Sequence, residues 1–165
     1  MVSRDGGEAL RVIDAARQVL ASDPSVAKDR IGVIGFCMGG GFALLAGADQ
    51  AFAVAAPFYG GVPRSADRLR GVCPLIAQFG SRDAAFAPHA RRLERHLVEL
   101  AVPHEAVIHD GVGHSFMNDH RDPLFTVGRY LPPLYAGHDA AAEADGWERL
   151  LRLFDEHLAR PDGRR

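Results

Sequence analysis

The stretch Arg30-Ile31-Gly32-Val33-Ile34-Gly35-Phe36-Cys37-Met38-Gly39-Gly40-Gly41-Phe42-Ala43-Leu44-Leu45 decides the reading of this chain. An apolar run without alternation reads as a buried strand, and the glycine series followed by a helical pattern reads as the start of a helix. Cys37 is therefore held at a sharp strand-to-helix turn, in the pattern G-x-C-x-G formed by Gly35, Cys37 and Gly39. Such a turn exposes a nucleophile, provided that the residues two before and two after it are small enough for strand and helix to close. The helix N-terminus would point unsatisfied N–H groups and partial positive charge at the sulfur, which favours thiolate. A competing reading makes the glycines packing devices and Cys37 a small buried hydrophobe. A phosphate loop is excluded, because no Lys-Ser/Thr pair ends the glycine run and no G-x-G-x-x-G spacing fits.

With 165 residues and 47% hydrophobic content, the chain is long enough for one buried core and too short for two comfortable domains. Residues 1–165 are read as one domain. A formal net charge of −2 and a pI near 6.4 argue against nucleic acid or an anionic membrane surface as partner. A small molecule or another protein is left. Cys37 and Cys73 form no C-x-x-C, so neither a disulfide scaffold nor a zinc site is signalled, and free thiols suit a reducing compartment. Residues 1–8 show no charged-then-apolar leader, and no apolar stretch reaches membrane-spanning length, so a cytoplasmic location is expected.

Upstream of the turn, Leu10, Ile13, Ala16 and Leu20 recur at helical spacing over residues 8–21 and predict an amphipathic helix ended by Ser22-Asp23-Pro24. Downstream, Met38, Phe42 and Leu45 predict the apolar stripe of the helix after the turn. Residues 52–58 read as a second strand closed by Tyr59-Gly60-Gly61, and 74–79 as a third, ended by Gly80-Ser81-Arg82-Asp83. Pro88 opens a helix with Leu93, Leu97 and Leu100 on one face, and residues 105–109 form a fourth strand before Asp110-Gly111-Val112-Gly113-His114. The pattern lapses over 117–138, which suits a functional loop. A last helix over 140–158 presents Trp147, Leu151, Phe154 and Leu158.

Strands alternating with helices imply an α/β fold with a mostly parallel sheet of about four strands and helices on both faces. Ligands in such sheets bind beyond the carboxyl ends of the strands. Cys37, Asp83 and His114 all fall at that edge. A thiol nucleophile needs a base within reach and an acid to orient the base. Of eight histidines, His89 and His96 are placed on a polar helix surface, His104 and His109 flank a strand, and His120, His138 and His157 lie in the later half. His114 alone sits on a glycine-flanked loop directly after a strand. Asp83 and Asp110 compete for the acid, and Asp83 is favoured because it comes from a neighbouring strand end. Cys73, before Pro74 at the opposite end of a strand, is read as structural.

At these residues the chain resembles the dienelactone hydrolase family of α/β-hydrolases, which has a Cys-Asp-His triad. The elbow matches at Gly35-Phe36-Cys37-Met38-Gly39-Gly40, the acid loop at Gly80-Ser81-Arg82-Asp83, and the histidine loop at Gly113-His114-Ser115-Phe116. Tyr59-Gly60 after the second strand is also similar. The resemblance, over residues 7 to about 117, implies a partial α/β-hydrolase fold and hydrolysis of a lactone or carboxylic ester without metal or cofactor. It implies roles for Cys37 as nucleophile, His114 as base, Asp83 as acid and the Met38 N–H as an oxyanion donor, with Tyr59, Arg82 and Asn118 at the substrate.

Two departures accompany the resemblance. Founding dienelactone hydrolases place an arginine four residues after the histidine, where this chain has Asn118, so dienelactone itself is a doubtful substrate. The family's N-terminal strands, with an acidic residue near the resting cysteine and one oxyanion donor, have no counterpart here, so the domain is expected to be N-terminally incomplete. The first strand would then leave one edge bare and prone to self-association. The alternative is a truncated or non-catalytic remnant of such a hydrolase, at most a small-molecule-binding or interaction module.

Overall fold

In a computed structural model that describes residues 7–49, 51–119 and 127–159, the elements run α1 (Gly7–Ser22), β1 (Gly32–Phe36), α2 (Met38–Asp49), β2 (Val54–Phe58), a 3-10 turn (Ala66–Leu69), β3 (Leu75–Gly80), α3 (Ala87–Glu99), β4 (His104–His109) and α4 (Ala140–Leu158). The strands pair in parallel in the order β1-β2-β3-β4. Sequential neighbours joined by right-handed crossovers put every intervening helix on one face. That face carries α2 and α3, whose Leu44, Ala90, Leu93 and Leu97 pack on Ala55, Leu75, Ala77 and Phe79. The opposite face is covered by α4, whose Ala142, Leu150 and Leu153 meet Val54, Ala56, Phe58 and Ile76. Alternation along β2 and β3 thus divides the core into two layers, as the pleat requires.

Three predicted apolar stripes sit differently in the fold. In α1, Leu10 is buried and Ile13 half-buried against Ile31, Phe52 and Ala46 of α2, with Ala21 packing on the same cluster at the far end of the helix, whereas Ala16 and Leu20 are exposed. In α2, Met38 is 67% exposed and the buried positions are Gly40, Ala43, Leu44, Ala46 and Gly47; a helix apolar nearly all round gives periodicity nothing to distinguish. In α4, Trp147 and Leu151 face solvent, while Ala142, Gly146, Leu150 and Leu153 face the sheet. Gly146 sets that rotation, since a Cβ there would stand 2.9 Å from Met117 Sδ and 3.2 Å from Gln78 Oε1.

The strand β1 is not covered all round. Among the described residues it pairs only with β2, and Ile34 is 37% exposed. No described helix is long and apolar enough to cross a membrane.

Candidate active site

The ladder between β1 and β2 runs one bond past the strands, where the Cys37 N–H donates to the Phe58 carbonyl at 3.1 Å. The chain then turns: Cys37 has φ +53°, and its carbonyl accepts the Gly40 N–H at 3.0 Å as α2 begins at Met38. A left-handed conformation costs a non-glycine residue about 1–2 kcal/mol, and the bonds on either side hold it. The thiol is exposed there. Gly35 must be glycine, because a Cβ would enter the Gly39 carbonyl and lie 2.9 Å from Ala43 Cβ. The expectation that Gly39 must also be small is corrected, since a Cβ there meets nothing within 4 Å. The tight position is Gly40, where a Cβ would come 2.5 Å from the Phe58 carbonyl and 3.1 Å from Gly60 Cα.

At the ends of β3 and β4, Asp83 and His114 are both buried, and His114 Nδ1 is 2.6 Å from Asp83 Oδ2. A carboxylate oxygen accepts only, so Nδ1 donates and, in the neutral ring, Nε2 is the nitrogen that can accept a proton. The other Asp83 oxygen accepts the N–H groups of Ala85 and Phe86 at 3.2 and 3.1 Å, so the acid is fixed by the entry to α3. Asp110 is engaged elsewhere, accepting from the Ser81 hydroxyl at 3.1 Å.

The two loops are laced together by main chain. Ser81 N–H donates to the His109 carbonyl and Arg82 N–H to the Val112 carbonyl, each at 2.9 Å. Close approach demands glycine at Gly80, whose Cβ would enter the Val112 carbonyl, and at Gly113, whose Cβ would enter the Tyr135 carbonyl. A strap over residues 133–137 fastens both loops: Ala84 N–H donates to the Pro133 carbonyl, His114 N–H to the Leu134 carbonyl, and Gly137 N–H to the His114 carbonyl, all at 2.9 Å. Residues 120–126 of the segment 117–138 lie outside the described residues.

Tyr59, in register beyond Phe58 and next to Cys37, has φ +38°. Its ring is fully buried, 6.2 Å from Phe36 and 4.8 Å from His114 between centroids. The hydroxyl lies near the Met117 main chain but outside hydrogen-bonding geometry, and burial, with Cys37 nearby, pushes its pKa up. Arg82 is exposed with its guanidinium 4.5 Å over the Tyr135 ring. Asn118 is half-buried one turn past His114 and donates its N–H to the Ser115 carbonyl at 3.0 Å.

The rival histidines have other partners: His104 stands 3.2 Å from Glu94, His138 2.6 Å from Glu143, and His109 2.9 Å from Gln78. His157 is in the last turn of α4, and His120 lies outside the described residues. His89 and His96 are not surface decoration, as expected from sequence, but half-buried and bonded to the loop after β2. Nothing in their helical spacing revealed this, because the partners are main-chain groups. Among the described residues no group of three or more His, Cys, Asp or Glu could hold a metal ion.

A sequence profile of the dienelactone hydrolase family matches residues 1–158. The chain belongs to that family. Similar curated proteins include a putative carboxymethylenebutenolidase of Synechocystis sp., 27% identical over 92% of this chain and 60% of its own length. A probable 2-oxo-3-(5-oxofuran-2-ylidene)propanoate lactonase of Bradyrhizobium sp. is 33% identical over 72% of this chain and 52% of its own. A carboxymethylenebutenolidase of Rhodococcus opacus is 30% identical over 77% and 50%. This dienelactone hydrolase family chain therefore spans about half to three fifths of the curated relatives it matches. In fold it is similar to a dienelactone hydrolase-like promiscuous phosphotriesterase from metagenomic libraries, with TM-score 0.77 at 24% identity over 94% of this chain and 64% of that one. An α/β-hydrolase from a deep-sea metagenome gives TM-score 0.69 at 15% identity, covering 90% and 64%.

The two thiols of this family member differ in surroundings. Burial pushes the Cys73 thiol up to about 11, which leaves roughly one molecule in a thousand ionised at pH 8, while Cys37 is exposed on the elbow. Brief iodoacetamide treatment of the folded chain at pH 8 should therefore carboxamidomethylate Cys37 with Cys73 spared. Equal labelling in a peptide digest would refute the assignment of Cys73 as packed and Cys37 as accessible.

Proposed function

We propose that the chain hydrolyses a lactone or carboxylic ester through a Cys37-His114-Asp83 triad and a thioester intermediate. The observation that carries this reading is the buried 2.6 Å His114–Asp83 bond at the same sheet edge as an exposed, left-handed Cys37. His114 Nε2 takes the thiol proton as Sγ attacks the carbonyl carbon. The oxyanion meets the Met38 N–H at the start of α2, where the helix dipole adds partial positive charge. Collapse breaks the C–O bond, and the leaving oxygen takes the proton from His114; with a lactone it stays tethered to the acyl chain. Water then attacks the thioester, giving its proton to Nε2, and Cys37 leaves as thiolate and is reprotonated. Tyr59, Arg82 and Asn118 are assigned to the substrate side, and no metal or cofactor takes part. The test is hydrolysis of p-nitrophenyl acetate or an enol lactone, with activity falling in step with Cys37 carboxamidomethylation. Turnover that survives complete modification contradicts the reading.

A second reading, a non-catalytic remnant, draws on the edge of β1 that no strand among the described residues pairs, and on the exposed Ile34. In the hydrolase reading residues 1–165 act as one domain, with the Met38 N–H as one oxyanion donor. An unguarded edge is a template for pairing, so the chain should self-associate at micromolar concentration in light scattering, and Ile34→Lys should shift it toward monomer. A monodisperse parent would show that this edge is protected.

A further inference from the structure

Three side chains on one face of α3 are bonded to consecutive main-chain groups of the loop that leaves β2. His89 Nδ1 accepts the Val62 N–H at 2.9 Å, an Arg92 Nη1 donates to the Val62 carbonyl at 3.2 Å, and His96 Nε2 lies 3.2 Å from the Pro63 carbonyl. Spacings of three and four residues put them on a common helix face. A main-chain N–H can only donate, so His89 Nδ1 is unprotonated and its hydrogen is on Nε2; a carbonyl can only accept, so His96 Nε2 carries its hydrogen. Protonated His89 has no acceptor to offer.

The loop held in this way backs the elbow. A Cβ on Gly60 would enter the Gly40–Gly41 main chain, and one on Gly41 would come 3.2 Å from the Gly61 carbonyl, so the two glycine pairs are in direct contact. Val62 is buried in the core that α3 shares with β2 and β3. On its other side the His89 ring lies 5.4 Å from Phe86, which lies 5.2 Å from His114. One imidazole therefore touches the support of Cys37 and the ring against His114.

We infer that His89 is a positioning residue for the hydrolysis proposed above: its neutral ring fixes the Gly60–Pro63 loop against the elbow, and its protonation releases that loop. The inference rests on the hydrolase reading. Burial and Arg92 push the His89 pKa down, with Asp83 opposing, so the accepting form is favoured. Facing groups are Arg92 on α3, Asp83 from the loop after β3, and His114 from the loop after β4 through Phe86. Asp67 of the 3-10 turn and Arg70 just after it are exposed and paired with each other, and the first turn of α2 has no ionisable side chain.

The test compares His89→Asn, which keeps an uncharged acceptor near the Nδ1 position, with His89→Phe, which keeps a ring and loses the acceptor. At pH 8 kcat/KM for the Asn variant should lie within about twofold of the parent, and for the Phe variant fall on the order of tenfold. Below pH 6 the parent should decline more steeply than the Asn variant, which lacks one ionisation. The Val62 amide, followed by hydrogen exchange, should open as the His89 ring titrates in the parent and stay open in the Phe variant. A Phe variant equal to the parent in both readouts, or an Asn variant with the parent's acid limb, overturns the inference. If the chain hydrolyses no ester, the rate of Cys37 carboxamidomethylation replaces kcat/KM, so the loop inference is tested even where the hydrolase reading has failed.

Discussion

Cys37→Ala should lower ester turnover by on the order of 10⁴-fold or more, and His114→Ala nearly as much, while the double variant should be no worse than either single one. The reason lies in the division of labour: a base without its thiol has nothing to deprotonate into attack, and a thiol without its base loses both activation and the proton for the leaving group. Asp83→Asn is the informative third member. Its remaining carbonyl oxygen can still cap Ala85 and Phe86 at the head of α3, so the fold should survive. What is lost is the acceptor that holds His114 with its hydrogen on Nδ1, and a fall of similar order is expected from the wrong tautomer. Steady-state kinetics alongside circular dichroism would separate the chemical loss from unfolding; multiplicative losses in the double variant would show that Cys37 and His114 act independently.

Gly35→Ala should destabilise the chain by at least about 3 kcal/mol, and Gly39→Ala should be neutral or stabilising by up to about 1 kcal/mol. Both glycines flank the same cysteine, and symmetry of the motif suggests equal demands. The structure separates them. At Gly35 the new methyl would enter main chain that cannot rotate away, forcing α2 off β1 at the point where Cys37 is held. At Gly39 it would enter open space on a helix, with the usual gain of alanine over glycine. In a chain of this size each kcal/mol moves Tm by about 2–4 °C, so the pair should diverge by 6 °C or more in a thermal melt. Equal melting points would mean that the elbow is looser than drawn.

Much of the fold was legible because the strands are short apolar runs between turn residues. The runs at 52–58, 74–79 and 105–109 contain β2 and overlap β3 and β4 closely, and the parallel order follows from their alternation with helices. The candidate site at Cys37, Asp83 and His114 was legible because each follows a strand end within three residues of a glycine. The faces of α1, α2 and α4 were legible only in part: Leu10, Ile13, Leu45, Phe154 and Leu158 pack on the core as read, but Trp147 and Leu151 carry the same helical period as the buried Leu150 and Leu153, and the close approach at Gly146 decides between them. The strap was hidden for a related reason: Pro133 and Leu134 act through their carbonyls, which every residue has. His89 and His96 were misplaced on a solvent face because a polar helix surface looks the same whether it meets water or a loop's main chain.

The central claim is that acyl transfer passes through Cys37, and rapid-quench mass spectrometry of the chain turning over p-nitrophenyl acetate tests it most directly. The account predicts one acetyl group on the peptide containing Cys37, appearing before steady state, labile to hydroxylamine and absent from Cys37→Ala. Turnover with the acetyl group on another residue, or with an unmodified Cys37 throughout, would contradict it.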